Sequence, residues 1–391
     1  MNQITTYLDN SSTTFLTEEV SSAMNDFRKI SFGNPSSVHR LGQYAKSIIE
    51  ESREKFAKGI NCEPKEFIFT SGGTESNNFA LKGYLFKKYF NENKIPEIIT
   101  TKTEHHAVLH TLEFLKKFGA KVIFIEVDKF GLVQEDVLDE ALKGCNKEIA
   151  PIVSIMHANN ETGNINNIQN LSKIVHAHRA YLHTDAVQTF GKLNIDVKEF
   201  GADVISFSSH KIHGPKGIGG IYLSKELELE PIIHGGSQER QRRGGTESTE
   251  LIVGFDKAFE LANSNIDSSL IHFKKLNGIL KKGLSSIDNI KFVSDEENSL
   301  MNIINVTFFD SDKLDGEGLI VGMDLEGVAV SNGSACTSGS MQPSHVLLAM
   351  GFPENQAKCA VRFSMSRFTS IEDVNICVEA LKKVLKIQRN Y

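Results

Sequence analysis

The stretch SFSSHKIHGPKG, residues 206–217, sets a lysine between two histidines, directly after an apolar run and before glycines. An ordinary surface lysine needs no such surroundings, whereas a lysine that must lose its proton to act as a nucleophile or base does. The preceding run DVISFS (203–208) is typical of a buried strand. Lys211 is therefore a candidate reactive amine at a strand end. Its rival, Lys216, lies in a GPKG turn that favours a surface charge.

Strand-like and helix-like segments alternate outward from this stretch, between about residues 66 and 223. The strand-like runs are EFIFT (66–70), EIITT (97–101), KVIFIEV (121–127), IAPIVSIMH (149–157), YLHTD (181–185), DVISFS (203–208) and GIGGIYLS (217–224). Helix-period segments separate most of them. This alternation predicts an α/β domain with a mostly parallel, seven-stranded sheet.

The pattern changes after about residue 262. A long helical pattern, short strands, a glycine- and serine-rich loop at about 331–342 and an amphipathic C-terminal helix follow. They predict a smaller α+β domain. We expect a large cofactor-binding domain of residues 16–261 and a small domain of residues 1–15 and 262–391.

Composition excludes several classes of function. The chain has 391 residues, of which 40% are hydrophobic and 24% charged, which is enough for two globular domains. A net charge of −6 without a basic block argues against nucleic-acid and membrane partners. The N-terminus does not resemble a secretory signal, and the five cysteines form no CxxC pair, so a disulfide framework or metal site is not expected. These features favour a cytoplasmic enzyme.

Polar segments follow five of the expected strands, at the edge where open α/β sheets bind ligands. They are TSGGTESNN (70–78), TEHHAV (103–108), MHANNETG (156–163), HTDAVQ (183–188) and SSHK (208–211). In the first, Gly73, Thr74 and the helix N-terminal amides can hold a phosphate, or the segment is a turn with a helix cap. Asp185 can hold a protonated ring nitrogen, or it caps a helix.

A phosphate cradle, a carboxylate and a lysine at one sheet edge together indicate pyridoxal phosphate. Ser208 and His210 are placed to reach the phosphate while Lys211 faces the aldehyde. His105 can stack on the cofactor ring and move protons, although a single histidine is more often packed or capped. We expect His106 and His213 to be structural.

The motifs along nearly the whole chain resemble those of the cysteine desulfurases of the NifS/IscS type. They are YLDNSSTT (7–14), FGNPSSVH (32–39), FTSGGTESNN (69–78), TEHHAV (103–108), MHANNETG (156–163), HTDAVQ (183–188), SFSSHKIHGPKG (206–217), RRGGTE (242–247), SNGSACTSGS (331–340) and VRFSMSRFT (361–369). The resemblance implies the pyridoxal phosphate fold type I of the class-V aminotransferases and a homodimer. It also implies removal of sulfur from L-cysteine, leaving L-alanine.

The resemblance assigns roles to individual residues. Lys211 is the Schiff-base lysine, His105 stacks on the ring, Asp185 pairs with the ring nitrogen, Asn160 and Gln188 bond the phenolic oxygen, Gly73, Thr74, Ser208 and His210 hold the phosphate, Thr246 reaches the phosphate of the partner subunit, Asn160 and Arg362 bind the substrate, and Cys336 accepts the sulfur.

The last two of these residues also fit their surroundings. Cys336 lies in a loop of small, hydrophilic residues, which is a poor core segment. Such a loop suits a sulfur carrier that must enter the site and then reach a partner. The alternative is an incidental exposed thiol. Arg362 lies in a strand pattern, where a charge must be paired. Its guanidinium matches a substrate carboxylate, or it forms a salt bridge to a protein acid.

Two rival functions remain at this stage: a related lyase or aminotransferase of the same fold, and a non-catalytic cofactor-binding scaffold. Ser12, Gly73 and the RRGG run (242–245) depart from the usual family pattern, but none of these changes removes a reacting group. The sulfur acceptor is expected to be an iron–sulfur scaffold or a transfer-RNA sulfurtransferase, and the sequence does not distinguish them.

Overall fold

The structure is a computed structural model that describes residues 6–333 and 342–390. Its strands are β1 (Thr6–Tyr7), β2 (Phe67–Thr70), β3 (Ile98–Thr101), β4 (Val122–Ile125), β5 (Ile152–Ser154), β6 (Tyr181–Asp185), β7 (Val204–Ser208), β8 (Gly219–Leu223), β9 (Ile290–Phe292), β10 (Ile303–Phe308), β11 (Val328–Ala329) and β12 (Val361–Ser364). The seven runs expected between residues 66 and 224 each contain one of the strands β2 to β8.

The helices lie mainly in the crossovers and at the two ends of the chain. They are α1 (Glu18–Ile30), α2 (Arg40–Gly59), α3 (Gly73–Glu92), α4 (His106–Lys116), α5 (Glu135–Lys143), α6 (Ile168–Ala177), α7 (Val197–Phe200), α8 (Gln238–Gln241), α9 (Thr249–Asn263), α10 (Ile266–Leu284), α11 (Gly316–Leu325), α12 (His345–Ala349), α13 (Glu354–Lys358) and α14 (Ile371–Arg389). α8 contains two residues in the left-handed region, Glu239 and Arg240.

The main sheet has seven strands in the order β2-β8-β7-β6-β5-β3-β4. The five strands from β7 to β4 are parallel, and β8 runs antiparallel to both of its neighbours, β7 and β2. The predicted α/β class with a mostly parallel seven-stranded sheet is therefore confirmed. Because β3, β5, β6 and β7 are parallel, their carboxyl ends meet at one edge of the sheet.

Helices cover both faces of this sheet. The apolar sides of α3 and α4 pack on one face, through residues such as Phe79 and Leu112. On the other face, α2, α5, α6 and α9 contribute Phe56, Leu138, Leu171 and Phe255. The sheet is thus buried on both sides, as its nearly continuous hydrophobic strands require.

A second core forms around the C-terminal strands. β12, β10 and β9 make an antiparallel sheet that packs with α10, α11 and α14. β1 pairs in parallel with β11, which joins the first described residues to this part of the chain. We retain as a proposal the division into residues 16–261 and residues 1–15 with 262–391, and this pairing supports it.

The remaining expectations about the chain concern membranes and cysteines. Within the described ranges, no helix is both long enough and apolar enough to cross a membrane. Cys62, Cys145, Cys359 and Cys377 are free thiols. Cys377 is buried in α14, and Cys359 is buried between α13 and β12.

Phe56 is the centre of an aromatic cluster that ties α2 to β2 and α9. Its ring lies 4.7 Å from Phe67, 4.4 Å from Phe255 and 4.7 Å from Phe259, and the side chain is fully buried. We expect Phe56→Ala to lower the free energy of unfolding by about 3–5 kcal/mol, because it leaves a cavity among these rings. Urea denaturation followed by circular dichroism measures this change.

The matched control is Phe309→Ala, since Phe309 is 62% exposed. We expect this control to change the stability by no more than about 0.5 kcal/mol. An equal loss of unfolding free energy in the two variants would show that the aromatic cluster does not stabilise the core beneath the large sheet.

Candidate active site

A cavity of about 350 Å³ lies at the carboxyl edge of the main sheet. Three parts of the chain enclose it: the segment after β1, the polar segments that follow the parallel strands, and residues next to β11 and in β12. Its lining residues are Ser11, Ser12, Gly73, Thr74, Asn77, His105, Met156, Ala158, Asn160, Asp185, Val187, Gln188, Ser208, His210, Lys211, Ser331, Gly333 and Arg362. Of the sequence-predicted site residues that the structure describes, all except Thr246 line this cavity.

Lys211 enters this cavity from a short 3-10 turn, Ser209–Lys211, that continues β7. Its Nζ donates to the backbone oxygens of Ser11 at 2.5 Å and Ser12 at 2.6 Å. Burial, and then the positive charge of Arg362, lower the pKa of Lys211 to about 8. The opening stretch thus folds so that its lysine can be neutral at moderate pH. Lys216, the rival, is exposed.

Asp185 lies at the end of β6, beside β7 in the sheet. Its Oδ1 accepts a hydrogen bond from the backbone N–H of Val187 at 2.9 Å, and its Oδ2 accepts one from Nδ2 of Asn77 at 2.7 Å. Both donors are neutral. The carboxylate is therefore oriented by the protein but keeps its negative charge available to a cationic group in the cavity.

The turn between β2 and α3 has the features of a phosphate cradle. Gly72 precedes the helix with φ +147°, a conformation that favours glycine, and no side chain of the described residues caps the first amides. A Cβ at Gly73 would lie 2.7 Å from Cγ2 of Val187, so the backbone here approaches the sheet edge closely. Unsatisfied helix N-terminal amides beside the Thr74 hydroxyl suit an anion.

Ser208 and His210 line the cavity together with that turn. The Nδ1 atom of His210 pairs with the Thr13 hydroxyl at 3.1 Å. Burial, and then the charge of Lys211, lower the pKa of His210 to about 4. The imidazole is therefore neutral near pH 7 and acts as a hydrogen-bonding group rather than as a cation.

His105 immediately precedes α4 and caps its N-terminus. Its Nδ1 accepts a hydrogen bond from the backbone N–H of Ala107 at 3.0 Å, so a neutral His105 carries its proton on Nε2. Burial is the main cause that lowers its pKa, against the attraction of Asp185. His105 therefore caps a helix, which was the alternative to a role at the cofactor, and it also lines the cavity.

Asn160 and Gln188 both line the cavity, and both have further partners. The side-chain amide of Gln188 donates to the backbone oxygen of Ser11 at 3.0 Å and accepts from Nζ of Lys192 at 3.3 Å. The backbone oxygen of Asn160 accepts from Nη1 of Arg362 at 2.8 Å. The Ser11 backbone oxygen also accepts from Nζ of Lys211, so Gln188 lies beside the lysine, whereas the contact of Asn160 with Arg362 involves its backbone.

Arg362 lies in β12 and is only 2% exposed. Its Nη2 contacts Oδ1 of Asp9 at 2.7 Å and Oγ of Ser12 at 2.7 Å. Ser12 in turn donates to Oδ1 of Asp9 at 2.8 Å. The salt bridge to a protein acid, which was the alternative to a substrate role for Arg362, is therefore present. Nε of Arg362 has no protein partner within the described residues.

Sequence reasoning gave no role to Asp9, Ser11, Ser12 and Asn77, which all contact predicted site residues. They lie inside two of the motifs quoted above, YLDNSSTT (7–14) and FTSGGTESNN (69–78). Their position within those motifs was the available signal. Nothing local in either motif indicates which distant side chain each residue meets.

Two predicted site residues are not placed in the cavity. Thr246 is exposed and does not line it. Cys336 lies outside the described residues, in the interval 334–341. Gly333, the last residue described before that interval, lines the cavity. The roles of both residues stay predictions.

Pyridoxal phosphate fits the groups that line this cavity. The uncapped N-terminus of α3 suits the phosphate, Asp185 suits a protonated ring nitrogen, and Lys211 offers an amine of lowered pKa to the aldehyde. Within the described residues, neither Lys211 nor Asp185 forms an ion pair with a side chain of opposite charge. Both groups are therefore available to the cofactor.

Comparisons with known proteins show the family of this chain. Residues 6–376 match the family model described as Aminotransferase class-V. The chain is 44% identical over 381 residues to the cysteine desulfurase IscS of Dictyoglomus turgidum, which covers 97% of this chain and 94% of that protein. A solved structure of a NifS-like protein has a TM-score of 0.89 and 35% identity, with 98% of this chain and 99% of that one covered.

A further solved structure, described as SspA in complex with cysteine, has a TM-score of 0.80 and 33% identity and covers 94% of this chain and all of that one. These matches confirm the resemblance that the sequence motifs indicated. The chain belongs to the class-V aminotransferase family, among its pyridoxal phosphate-dependent cysteine desulfurases of the NifS/IscS type.

Proposed function

We propose that this chain removes the sulfur of L-cysteine, releases L-alanine and passes the sulfur through Cys336 to an acceptor protein. The observation that carries the proposal is the position of Lys211. Its buried amine shares one cavity with Asp185 and Arg362, so groups for a cofactor ring and for a substrate carboxylate surround it. The experiment that tests it measures L-alanine and sulfide formed from L-cysteine with a thiol reductant and no added keto acid.

The cofactor and Lys211 have separate roles in the proposed reaction. Pyridoxal phosphate, when bound, supplies an electron sink for negative charge at the substrate Cα. Lys211 would hold the cofactor when it is bound. Its Nζ is also placed to take a proton from the substrate Cα. A lysine with a pKa of about 8 accepts a proton at neutral pH far more often than an exposed lysine does.

Substrate orientation is assigned to Arg362 and Asn160. The guanidinium is held by Asp9, by Ser12 and by the backbone of Asn160, so it is already oriented before a carboxylate arrives. Such preorganisation reduces the entropy lost on binding. The structural neighbour described as a complex with cysteine supports an amino-acid substrate of this size.

Sulfur transfer requires a thiolate and a proton donor. The Cys336 thiolate forms a bond to the substrate sulfur while the bond from that sulfur to Cβ breaks. The electron pair of the broken bond stays with the carbon skeleton, which leaves as L-alanine after protonation. His105 handles a proton at Nε2, because its Nδ1 is occupied by the Ala107 N–H.

We also propose a homodimer and a cytoplasmic location. Phe32 and Val38, in the segment after α1, are 88% and 89% exposed, and two such apolar side chains in one segment suit an interface. The exposed position of Thr246 suits a residue that reaches the partner's phosphate. The four described cysteines are free thiols, which suits a reducing compartment.

The identity of the acceptor stays open between an iron–sulfur scaffold and a transfer-RNA sulfurtransferase. The name IscS of the relatives favours the first. A related lyase or aminotransferase is the second candidate for the reaction, and a keto-acid requirement would favour it. A purified protein that binds the cofactor but turns over no cysteine would favour the non-catalytic scaffold.

Of the predictions about the active site, the first separates the two reactive side chains. Cys336→Ala is expected to abolish sulfide release while the visible absorption of the bound cofactor remains, because the thiol acts only after the cofactor is loaded. Lys211→Ala is expected to remove that absorption. Absorption spectra and a sulfide assay measure both effects, and full turnover in either variant contradicts the assignment.

The second prediction concerns pH. Only the neutral amine attacks an aldehyde, and the pKa of Lys211 is lowered to about 8. The rate at which the cofactor-free protein takes up pyridoxal phosphate should therefore rise with pH through about 8 and level off above it. Stopped-flow absorbance follows the reaction. A rate still rising at about pH 10, as expected of an ordinary lysine, contradicts the lowered pKa.

The third prediction tests the carboxylate site. Arg362→Lys is expected to raise the KM for L-cysteine by about 10- to 100-fold, because an ammonium cannot reproduce a bidentate guanidinium contact. The spectrum of the bound cofactor should stay unchanged. Lys216→Arg, at an exposed position, is the control and should leave KM as it is. An unaltered KM in Arg362→Lys assigns the arginine to the Asp9 salt bridge alone.

A further inference from the structure

Asn77 is the side chain that holds one carboxylate oxygen of Asp185. Its Nδ2 donates to Oδ2 of Asp185 at 2.7 Å, and both residues are buried. The other carboxylate oxygen is held by the backbone N–H of Val187. Each oxygen therefore has one fixed protein donor, and the plane of the carboxylate cannot turn without breaking one of these bonds.

The position of Asn77 is set by α3, the helix whose N-terminus forms the phosphate cradle. Asn77 follows Thr74 by three residues and so lies on nearly the same face of the helix. The residue before it, Ser76, is hydrogen-bonded through its Oγ to the backbone of Gly220 at 3.0 Å and to the Thr70 hydroxyl at 2.8 Å. The first turns of α3 are thus tied to β2 and β8.

The orientation of the Asn77 amide follows from charge. Only Nδ2 can donate to the carboxylate, and the reverse orientation would place Oδ1 against a negative oxygen. Oδ1 has no protein partner within the described residues, although Asn77 is only 1% exposed. A buried amide oxygen without a protein partner is costly, and the charge-assisted bond made by Nδ2 is what offsets this cost.

We infer that Asn77 is a positioning residue that sets the orientation of Asp185 and, through it, secures the proton on the cofactor's ring nitrogen. A donor bonded to a carboxylate favours the charged form, and a fixed carboxylate presents its remaining lone pairs in one direction. Because Asn77 and the phosphate cradle share one rigid helix, a single element sets the distance between the phosphate and the ring-nitrogen partner. The inference rests on the proposed role of Asp185.

Asn77→Leu in the cofactor-loaded protein is the test, with visible absorption as the readout. Loss of the Asn77 bond should raise the dissociation constant of pyridoxal phosphate by about tenfold. It should also raise the pH midpoint of the visible absorption by about half a unit. The reason is that a ring nitrogen that is protonated less often repels less strongly the proton on the nitrogen that joins Lys211 to the cofactor. Asn77→Ser, a smaller change, tests the same bond if the leucine variant does not fold.

Asn78→Ala is the matched control, since Asn78 is the next residue of α3 and its Nδ2 donates to the backbone oxygen of Thr74 instead of to Asp185. It should leave the absorption midpoint unchanged. Thermal melting of the cofactor-free proteins verifies that each variant folds.

A double-mutant cycle separates positioning from packing. If Asn77 acts through Asp185, Asn77→Leu should have no further effect on the absorption midpoint in an Asp185→Asn background. An equal shift in that background, or no shift in the single variant, overturns the inference. The measurement involves no cysteine turnover, so it stands even if the proposed desulfurase reaction fails.

Discussion

The site depends on the environment of one amine. Lys211 is enclosed by protein, donates to two backbone oxygens and faces the guanidinium of Arg362, while the acids Asp9 and Asp185 act on it only from a distance. Burial and a neighbouring cation both disfavour the ammonium form. Carbonyl acceptors orient the nitrogen without adding a carboxylate that would restore its usual basicity. A lysine in this setting is suited to bind an aldehyde covalently and to accept a proton from carbon.

Parallel topology explains why the partners of this amine are present at all. β6 and β7 are neighbours with parallel direction, so the residues at their carboxyl ends, Asp185 and Lys211, reach the same edge. α3 adds its uncapped N-terminus at that edge. The antiparallel strands β8 and β2 then bring the β2–α3 turn beside β7, and the close approach of Gly219 to the backbone of Gly72 shows how tightly these segments pack.

The part of the cavity around Arg362 is built differently, from segments far apart in the chain. Asp9 and Arg362 are separated by 353 positions, yet they form an ion pair that joins the N-terminal segment to β12. Ser12 belongs to the same cluster through its hydroxyl and supplies a backbone oxygen to Lys211. Arg362 and Lys211 are therefore both oriented by one short segment, 9–12. A shift of this segment would disturb both groups together.

Sequence alone determined the order of strands and helices, because hydrophobic periodicity and turn residues are local properties, and the polar segments after the strands identified most of the cavity lining. It also identified Lys211, Asp185 and the β2–α3 turn, since parallel strands must end at a common edge. The contacts of Asn77 with Asp185 and of Asp9 and Ser12 with Arg362 were decided only in three dimensions. Whether a side chain points at a partner 108 or 353 positions away depends on strand register and helix rotation, which no local pattern encodes. The lowered pKa of Lys211 has the same origin, because burial and the nearness of Arg362 exist only in the folded chain.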